Sequence, residues 1–194
     1  MIVIEKNNIK PFIHFYKFYE DALKHGQLFV ESACLGTVCE NNKSHSRFIN
    51  IKYINDNFIF YTNYNSPKSK QVEKNNNVSL TFFWNTVNTQ IRINGKISKL
   101  NNFFNDSHWS KRSNEKKALA ISSKQSKNIK SYDEVVDNYK KILISSKMDR
   151  PSYWGGYSIK PLSFELWKGH ENRLNKRILY KLKHEKWIKE YLQP

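Results

Sequence analysis

The sequence is poor in cysteine, glycine and proline, and it contains no long apolar run. Its two cysteines, six glycines and five prolines among 194 residues form neither a disulfide framework nor a flexible linker between domains. No apolar run approaches the roughly 20 residues that a membrane span needs. Residues 1–6 also lack the basic-then-apolar order of a secretory signal. We therefore expect a single domain, residues 1–194, that is cytoplasmic and has no membrane partner.

Acidic residues are also scarce. Asp and Glu total 17 against 33 Lys and Arg, which gives a net charge of +16. Such an excess favours a polyanion as partner, but the lysines are scattered among many asparagines and isoleucines. We interpret the excess as a compositional bias and predict no nucleic-acid partner. The charge does suit small anionic ligands such as phosphate esters.

The cysteines and histidines do not form a metal-binding pattern. Cys34 and Cys39 lie close together in the sequence, but a zinc site needs two further ligands at suitable spacing. His45 alone does not supply them. A disulfide is disfavoured in the cytosol. We therefore predict no metal site and interpret both cysteines as packing residues.

Apolar periodicity and turn residues predict many short strands and a few helices. Aromatic residues make up 14% of the chain and supply large side chains for a core. Aromatic residues at three- and four-residue steps predict a first helix over 11–26. The predicted strands are 28–38, 47–54, 58–63, 78–84, 90–100, C-terminal strands from 153, and then 173–182 and 186–192; the later helices are 101–111, 115–123 and one that starts at Ser131. This order predicts a mainly β protein, an antiparallel barrel with peripheral α-helices.

The stretch from Arg47 to Gln71 carries the clearest binding signal. It predicts a hairpin followed by a helix that starts at Ser66-Pro67-Lys68, since Ser is a preferred N-cap and Pro suits the first helical position. A helix N-terminus presents unpaired N–H groups and partial positive charge, to which Lys68 adds a full charge. With Arg47 and Lys52 on the hairpin, the pattern predicts a phosphate site. The alternative is an ordinary hairpin and capped helix with solvated lysines.

This stretch resembles the pyridoxamine (pyridoxine) 5′-phosphate oxidase family, and the resemblance continues in order over roughly residues 11–194. No single motif is decisive, whereas their order and spacing together are specific. The motifs are Arg47-x4-Lys52, Phe60-Tyr61-Thr62-Asn63, Ser66-x-Lys68-x-x-Gln71, Trp84, Gln90, Gly95, Lys124-Gln125-Ser126, Trp154-Gly155-Gly156-Tyr157, Glu165-x-Trp167, Arg173-Leu174-x-x-Arg177, Trp187 and Leu192-Gln193-Pro194.

The resemblance implies a Greek-key split β-barrel that forms a homodimer with two flavin mononucleotide (FMN) sites at the subunit interface. It also implies an oxidase that converts pyridoxine or pyridoxamine 5′-phosphate to pyridoxal 5′-phosphate, with O2 as electron acceptor and H2O2 as product. The cofactor carries the redox chemistry, so we assign no catalytic residue. The FMN-binding residues implied by the resemblance are Arg47, Phe48, Ile49, Asn50, Ile51, Lys52, Tyr61, Thr62, Lys68, Gln90, Gln125, Ser126, Trp167 and Arg177.

For the substrate, the resemblance points to Lys52, His108, Arg112, Lys116, Arg173 and Asn175. Four positions depart from the family pattern: His108 stands where Tyr is usual, Lys116 where Ser is usual, Asn175 where His is usual, and Pro67 where Arg is common. The Arg-x-x-Tyr of the family's N-terminal lid has no counterpart before residue 11. His108, Arg112 and Lys116 still recur at four-residue steps, so one helix face would present them to an anion. We expect phosphate binding to be preserved and the contacts to the pyridine ring to differ.

Strand periodicity adds two expectations about orientation. Residues two apart in a strand share a face, so Arg173, Asn175 and Arg177 should point together and form a polar wall. The alternative is a solvated edge strand. By the same rule Arg47 and Lys52 should face opposite ways, so their joint use requires a bulge or a strand end between them.

Two other functions remain open. A related oxidase of a tricyclic secondary metabolite, as in phenazine biosynthesis, shares the implied fold; Asn175 and the missing lid favour it, whereas Lys52 and Arg112 favour a phosphate ester. The second is a non-catalytic barrel that binds flavin or nucleic acid. Steep salt dependence of RNA binding would identify a nucleic-acid module.

Overall fold

In the computed structural model, which describes residues 2–145 and 147–194, the chain forms one curled sheet with five α-helices around it. The strands are β1 Val3–Ile4, β2 Ser32–Val38, β3 Ser44–Asn50, β4 Tyr53–Ile54, β5 Phe58–Asn63, β6 Asn77–Trp84, β7 Thr89–Lys99, β8 Trp154–Lys168, β9 Lys176–Lys183 and β10 Lys186–Leu192. The helices are α1 Lys10–Lys24, α2 Pro67–Lys74, α3 Asn102–Ser110, α4 Asn114–Ser122 and α5 Tyr132–Leu143. The mainly β prediction with peripheral helices is confirmed.

The sheet is organised around its longest strand, β8. The strand order is β1-β4-β5-β8-β7-β6-β2-β3, and β9 and β10 continue from β8. All neighbouring strands are antiparallel except β1 with β4. The first part of β8 pairs with β5 and its last part pairs with β9, while β7 runs along its other edge. β8 therefore connects the barrel to the C-terminal hairpin.

Helix α1 fills the barrel with aromatic side chains, as its periodicity predicts. Phe15 is fully buried, and its ring lies 5.3 Å from that of Phe58, 5.4 Å from that of Phe82 and 5.7 Å from that of Trp84. Such edge-to-face and tilted pairs contribute about 0.5–1.5 kcal/mol each beyond the burial of their area. The core therefore lies inside the curl of the sheet, and α1 does not cover the opposite face.

The C-terminal strands predicted from 153 begin with β8, which runs without a break through Pro161. The pairing with β7 shifts register between Asn94 and Gly95, because Leu162 is an extra residue on β8. A β-bulge of this kind accommodates a proline, which has no N–H to donate. A side chain at Gly95 would place its Cβ 2.4 Å from the backbone oxygen of Lys160, so glycine is required at this close approach.

Two predicted strands near the N-terminal half have different bounds. The predicted strand 28–38 begins only at Ser32, because Phe29 lies in a turn with φ of +50°. The predicted strand 47–54 is two strands, because the chain exchanges its partner after Asn50: Ile51 N–H donates to Glu31, and Lys52 N–H donates to Ile59. This strand end lies between Arg47 and Lys52, as their joint use requires.

The predicted strand 173–182 is wrong in its first three residues. β9 begins at Lys176, and the preceding residues form a turn in which Arg173 has a left-handed φ of +59°. The side-chain oxygen of Asn175 accepts a hydrogen bond from the backbone N–H of His170, which closes the turn. Arg173 and Asn175 therefore do not share a strand face with Arg177, and the expected polar wall is not formed.

The remaining expectations concern local features. Ser131 caps α5 by accepting a hydrogen bond from the backbone N–H of Glu134. Cys34 and Cys39 are free and half-buried. Within residues 2–145 and 147–194, no group of three or more His, Cys, Asp or Glu side chains is placed to hold a metal ion. No helix in this part of the chain is long and apolar enough to cross a membrane.

Candidate functional site

A cavity of about 400 Å³ lies where β5 and the end of β3 meet α2, α3 and the segment that follows α4. Every residue that lines it belongs to the sets predicted from the sequence. These are Phe48, Ile49, Asn50, Lys52, Tyr61, Thr62, Lys68, His108, Arg112 and Gln125. A second cavity of about 260 Å³ adjoins it, shares Tyr61, Thr62, Arg112 and Gln125, and adds Lys116. We call the two together the cationic cavity.

Lys68 enters the cationic cavity from the first turn of α2. Pro67 starts the helix, but the Ser66 hydroxyl does not cap it. Instead the ammonium of Lys68 donates to Ser66 Oγ at 3.1 Å, Thr62 Oγ1 at 3.1 Å and Gln125 Oε1 at 3.0 Å. Burial and the nearby charge of Arg47 lower the pKa of Lys68 to about 8. The hydroxyl and amide partners are neutral, so the ammonium keeps its full charge for an anionic ligand.

Arg47 lies on β3, close enough for its charge to lower the pKa of Lys68, but it lines neither part of the cationic cavity. Its guanidinium donates to Thr37 Oγ1 at 2.6 Å and to Gln71 Oε1 at 2.9 Å, and also to the backbone oxygen of Leu35. Burial lowers the pKa of Arg47. Among the described residues, no carboxylate forms an ion pair with Arg47 or Lys68. Both cations are therefore held by neutral groups.

The end of β3 forms another wall of the cavity. Ile51 is fully buried, so its side chain belongs to the core and it can offer only its backbone to a ligand. Lys52, the next residue, lines the cavity, as do Asn50 and Ile49. The change of partner after Asn50 thus turns Lys52 toward the same cavity as Lys68.

Helix α3 and the residues after it supply the remaining wall. The His108 ring stacks on Tyr61, with 3.7 Å between ring centroids and 6° between ring planes. The Arg112 guanidinium lies over the Trp154 ring at 4.7 Å, and its Nη2 donates to the backbone oxygen of Lys116. Arg112 Nε is buried and has no hydrogen-bond partner in the described part of the chain. A buried, unpaired N–H of a cation is a donor available to an anion.

His108 is neutral in this setting. Burial lowers the pKa of His108 to about 4, with further contributions from Arg112, Lys52, Lys111 and Lys116. Burial also lowers the pKa of Arg112. Of the residues that the structure describes, no Asp or Glu lines either part of the cationic cavity. Because the cations repel one another and no acid lines the wall, the cavity favours an anionic ligand.

Gln90, Trp167 and Arg177 form a separate cluster at the other end of β8. Gln90 pairs with Trp167 and Trp167 with Arg177, so the three side chains lie in one row on the outer face of the sheet. Glu165 accepts hydrogen bonds from Arg177 at 2.7 and 3.1 Å and forms an ion pair with Arg92 at 3.1 Å. We call this set the outer-face cluster.

The structure does not bring the outer-face cluster to the cationic cavity of the same chain. Thr62 pairs with Gly155 near the start of β8, and Gln90 pairs with Trp167 near its end. Twelve residues separate Gly155 from Trp167, which is about 40 Å of strand at about 3.3 Å per residue.

Besides Arg47 and Ile51, whose side chains do not line the cavity, three predicted residues belong to neither place. Ser126 has a left-handed φ of +66° and is exposed beside Gln125. Arg173 is exposed in its turn, and Asn175 is committed to His170.

The sequence interpretation missed several residues that position the predicted ones. Thr37 and Gln71 hold Arg47, and Trp154 holds Arg112. Glu165 holds Arg177. Gln71, Trp154 and Glu165 occur in the motifs that carry the resemblance, and Glu165 shares a strand face with Trp167, which is the signal that could have found it.

Comparison with known proteins gives consistent results. Residues 28–145 match a family model described as pyridoxamine 5′-phosphate oxidase, and residues 154–194 match one described as pyridoxine 5′-phosphate oxidase C-terminal dimerisation region. A curated relative from Leptospira biflexa, named pyridoxine/pyridoxamine 5′-phosphate oxidase, is 34% identical over 98% of this chain and 92% of its own length.

Two solved structures are also similar to this chain. The crystal structure of PhzG from Burkholderia lata 383 in complex with tetrahydrophenazine-1-carboxylic acid has a TM-score of 0.90 and 25% identity, and the match covers 95% of this chain and 92% of the other. A pyridoxamine 5′-phosphate oxidase-related, FMN binding protein from Nostoc punctiforme has a TM-score of 0.78, with 93% and 97% coverage. At 13% identity the second match shows the fold alone, a split barrel.

Proposed function

This chain belongs to the pyridoxamine 5′-phosphate oxidase family, and we propose on that premise that it is an FMN-dependent oxidase of pyridoxine or pyridoxamine 5′-phosphate. The observation that carries the proposal is the cationic cavity. All residues that line its larger part occupy positions that the family resemblance gives to cofactor or substrate, and none of them is acidic. The chain would thus act on a phosphorylated pyridine, with pyridoxal 5′-phosphate as product.

The residues present fit FMN. Its phosphate is a dianion, and Lys68 and Arg47 offer two cations whose partners are neutral. The N-terminus of α2 adds partial positive charge. Arg177 and Gln90 would hold the polar edge of the ring system, where a planar guanidinium matches planar acceptors better than an ammonium does. When bound, FMN supplies a two-electron acceptor that O2 can reoxidise.

The same geometry supports a homodimer with shared sites. The cationic cavity and the outer-face cluster lie at opposite ends of β8, too far apart for one FMN to contact both within a chain. A second copy related by a two-fold axis would bring its outer-face cluster to the cavity of the first. The matched dimerisation region, 154–194, includes Trp167 and Arg177. Exposed Phe83, 57% accessible, lies in the same row and would be covered by the partner.

The substrate phosphate would bind at the α3 side of the cavity. Lys52 and Arg112 line it, and Lys116 lines the adjoining part. The stacking of Arg112 on Trp154 fixes the guanidinium plane, and this limits the entropy lost when it binds an anion. These residues bind and orient the substrate; proximity to the cofactor supplies much of the acceleration. We assign no general base.

An oxidase of a tricyclic metabolite is the second candidate, because of the similarity to PhzG. The cavity favours the phosphate ester. A tricyclic carboxylic acid carries one negative charge and would leave several of the cations that line the cavity unpaired, which is costly in a partly buried site. Asn175, which the sequence offered as support for the tricyclic substrate, closes a turn in this chain.

The test is to purify the full-length chain, identify any bound flavin and assay both vitamer phosphates. We expect a yellow protein that releases FMN, produces pyridoxal 5′-phosphate and H2O2 in equal amounts, and migrates as a dimer. Arg112→Met should raise KM for both vitamers by at least 10-fold, since a charge-assisted contact is worth about 1.5–3 kcal/mol. An FMN-loaded protein that is inert to both vitamers and oxidises a reduced phenazine acid would refute the substrate assignment.

A further inference from the structure

His108 combines three features that no other described histidine shares. It lines the cationic cavity, its ring is stacked in parallel on Tyr61, and neither of its ring nitrogens donates to or accepts from another described residue. By contrast, His14 contacts the Tyr180 hydroxyl and His170 accepts from Asn172. Because stacking covers the faces of an imidazole and leaves its edge free, the two ring nitrogens of His108 are available to a ligand.

The charges around His108 are all of one sign. The groups whose charge acts on it are Lys111 and Arg112 from the segment after its own helix, Lys52 from the segment after β3, and Lys116 from α4. The aromatic rings that face it are Tyr61 from β5 and Trp154 from β8. Glu115, which begins the same turn of α4 as Lys116, hydrogen-bonds to Ser113. Burial and, to a smaller extent, these cations thus keep the imidazole neutral.

We propose that His108 takes up a proton when a phosphate-type dianion binds in the cationic cavity, so that the site gains a cation only when the ligand is present. This inference rests on the proposed function, because that function identifies the natural ligand. The dianion would be the phosphate group of the substrate. At this position the family pattern has Tyr, which cannot change its charge near neutral pH.

The size of the effect follows from the neighbouring charges. In the free protein the pKa of His108 is lowered to about 4. An opposite charge within about 4–6 Å raises a pKa by about 1 to 3, so ligand binding should bring it to about 5 to 7. Since the pKa is higher in the complex, the complex binds more protons, and anion affinity should increase as the pH falls from 7 to 5.

Sulfate is the probe that isolates this effect, because it remains a dianion across this pH range, whereas phosphate takes up protons itself. The experiment follows the six histidine ring signals of the full-length protein by NMR from pH 4 to 8, with and without saturating sulfate. Comparison with His108→Gln assigns the His108 signal. We expect sulfate to raise the pKa of His108 by at least 1 and to leave that of His14 within 0.3.

A calorimetric measurement provides the matched comparison. At pH 6, sulfate binding in buffers of different ionisation enthalpy should show uptake of a measurable fraction of a proton by the wild type. His108→Tyr, which keeps an aromatic ring for the stack, should bind sulfate without that uptake. Lys111→Met, which removes a cation outside the cavity wall, should raise the pKa of His108 in the free protein.

The outcomes separate this inference from the proposed function. A pKa of His108 that does not change with saturating sulfate, equal proton uptake by His108→Tyr, or no sulfate binding at all would overturn the inference. If the protein binds FMN and oxidises a vitamer phosphate in any of these cases, the proposed function stands alone. If His108 shifts as expected in a protein that has no oxidase activity, the inference stands and the proposed reaction fails.

Discussion

Replacing Lys68 with Met should stabilise the ligand-free protein while weakening its affinity for FMN. The ammonium of Lys68 is half-buried and donates only to neutral oxygens. Burial and the charge of Arg47 lower its pKa from 10.5 to about 8. A cation held in this position costs folding free energy, which the apolar side chain of Met would avoid. Because an anionic ligand would pair with the ammonium, the charge that destabilises the ligand-free protein should strengthen binding. Lys68→Met should therefore raise the free energy of unfolding and lower the affinity for FMN.

The magnitude can be worked from the pKa. One pH unit corresponds to about 1.4 kcal/mol, so the lowering corresponds to at most roughly 3 kcal/mol, and solvent around the partly exposed ammonium reduces this cost. The pKa is depressed in the folded state, so the unfolded chain holds the proton more tightly. The cost is complete below pH 8 and disappears as the pH rises toward 10.5.

Lost hydrogen bonds of Lys68 offset part of this gain. Their acceptors keep other partners, Thr62 with Gln125 and Ser66 with Ser69. We therefore expect a net stabilisation of about 1–2 kcal/mol, or about 2–8 °C in Tm.

The assay has two arms. Urea unfolding of FMN-free protein at pH 7 and fixed protein concentration gives the free energy of unfolding, and quenching of flavin fluorescence gives the Kd for FMN. Loss of a charge-assisted contact should raise the Kd by about 10- to 100-fold. The control is Lys70→Met on the exposed side of α2, which should change stability by less than about 0.5 kcal/mol. A Lys68→Met protein that is less stable by more than 1 kcal/mol and binds FMN as the wild type does would refute this reasoning.

Three further predictions follow from the described contacts. FMN affinity should fall as the pH rises through about 8, because Lys68 loses its proton there; Lys68→Arg should remove this dependence, and a flat profile for the wild type would count against it. Glu165→Gln should raise the Kd for FMN by about 5- to 20-fold, since Arg177 loses the carboxylate that orients it. The Kd is measured by fluorescence quenching, and an unchanged value in a folded dimer would show that the outer-face cluster does not contribute to FMN binding. Gly95→Ala should lower the free energy of unfolding by about 2–4 kcal/mol, because the added Cβ would lie 2.4 Å from the backbone oxygen of Lys160; equal urea midpoints would show that the strand relaxes.

Local chemistry explains what the sequence predicted well. A Ser-Pro pair at the start of α2 is a signal that depends on a single helix, and it placed Lys68 at the cavity. This signal requires no knowledge of what lies across the sheet. The residues His108, Arg112 and Lys116 also line the cavity, but the expectation that one helix face presents them is wrong, because α3 ends at Ser110 and Lys116 belongs to α4.

Features that depend on distant partners were not predictable in the same way. Arg173 and Asn175 leave the strand because Asn175 bonds to the backbone of His170, and nothing in the alternation of residues 173–177 signals that turn. The stack of His108 on Tyr61 joins residues 47 positions apart in the sequence. Arg47 depends in the same way on Thr37 and Gln71, which come from two other elements.

The continuous β8 strand has a consequence for how this chain can vary in length. Inserting one residue between Gly156 and Trp167 would exchange inward and outward side chains beyond the insertion, so Trp167 would turn into the core. In the proposed two-fold dimer, the misplaced Trp167 would affect both sites, since each would combine the cationic cavity of one chain with the outer-face cluster of the other. The extra residue at Leu162 already shifts this alternation once. The length of β8 therefore determines which face of the sheet each later side chain occupies. Changes in chain length should therefore collect in the connecting loops, such as the turn before β9, and spare this strand.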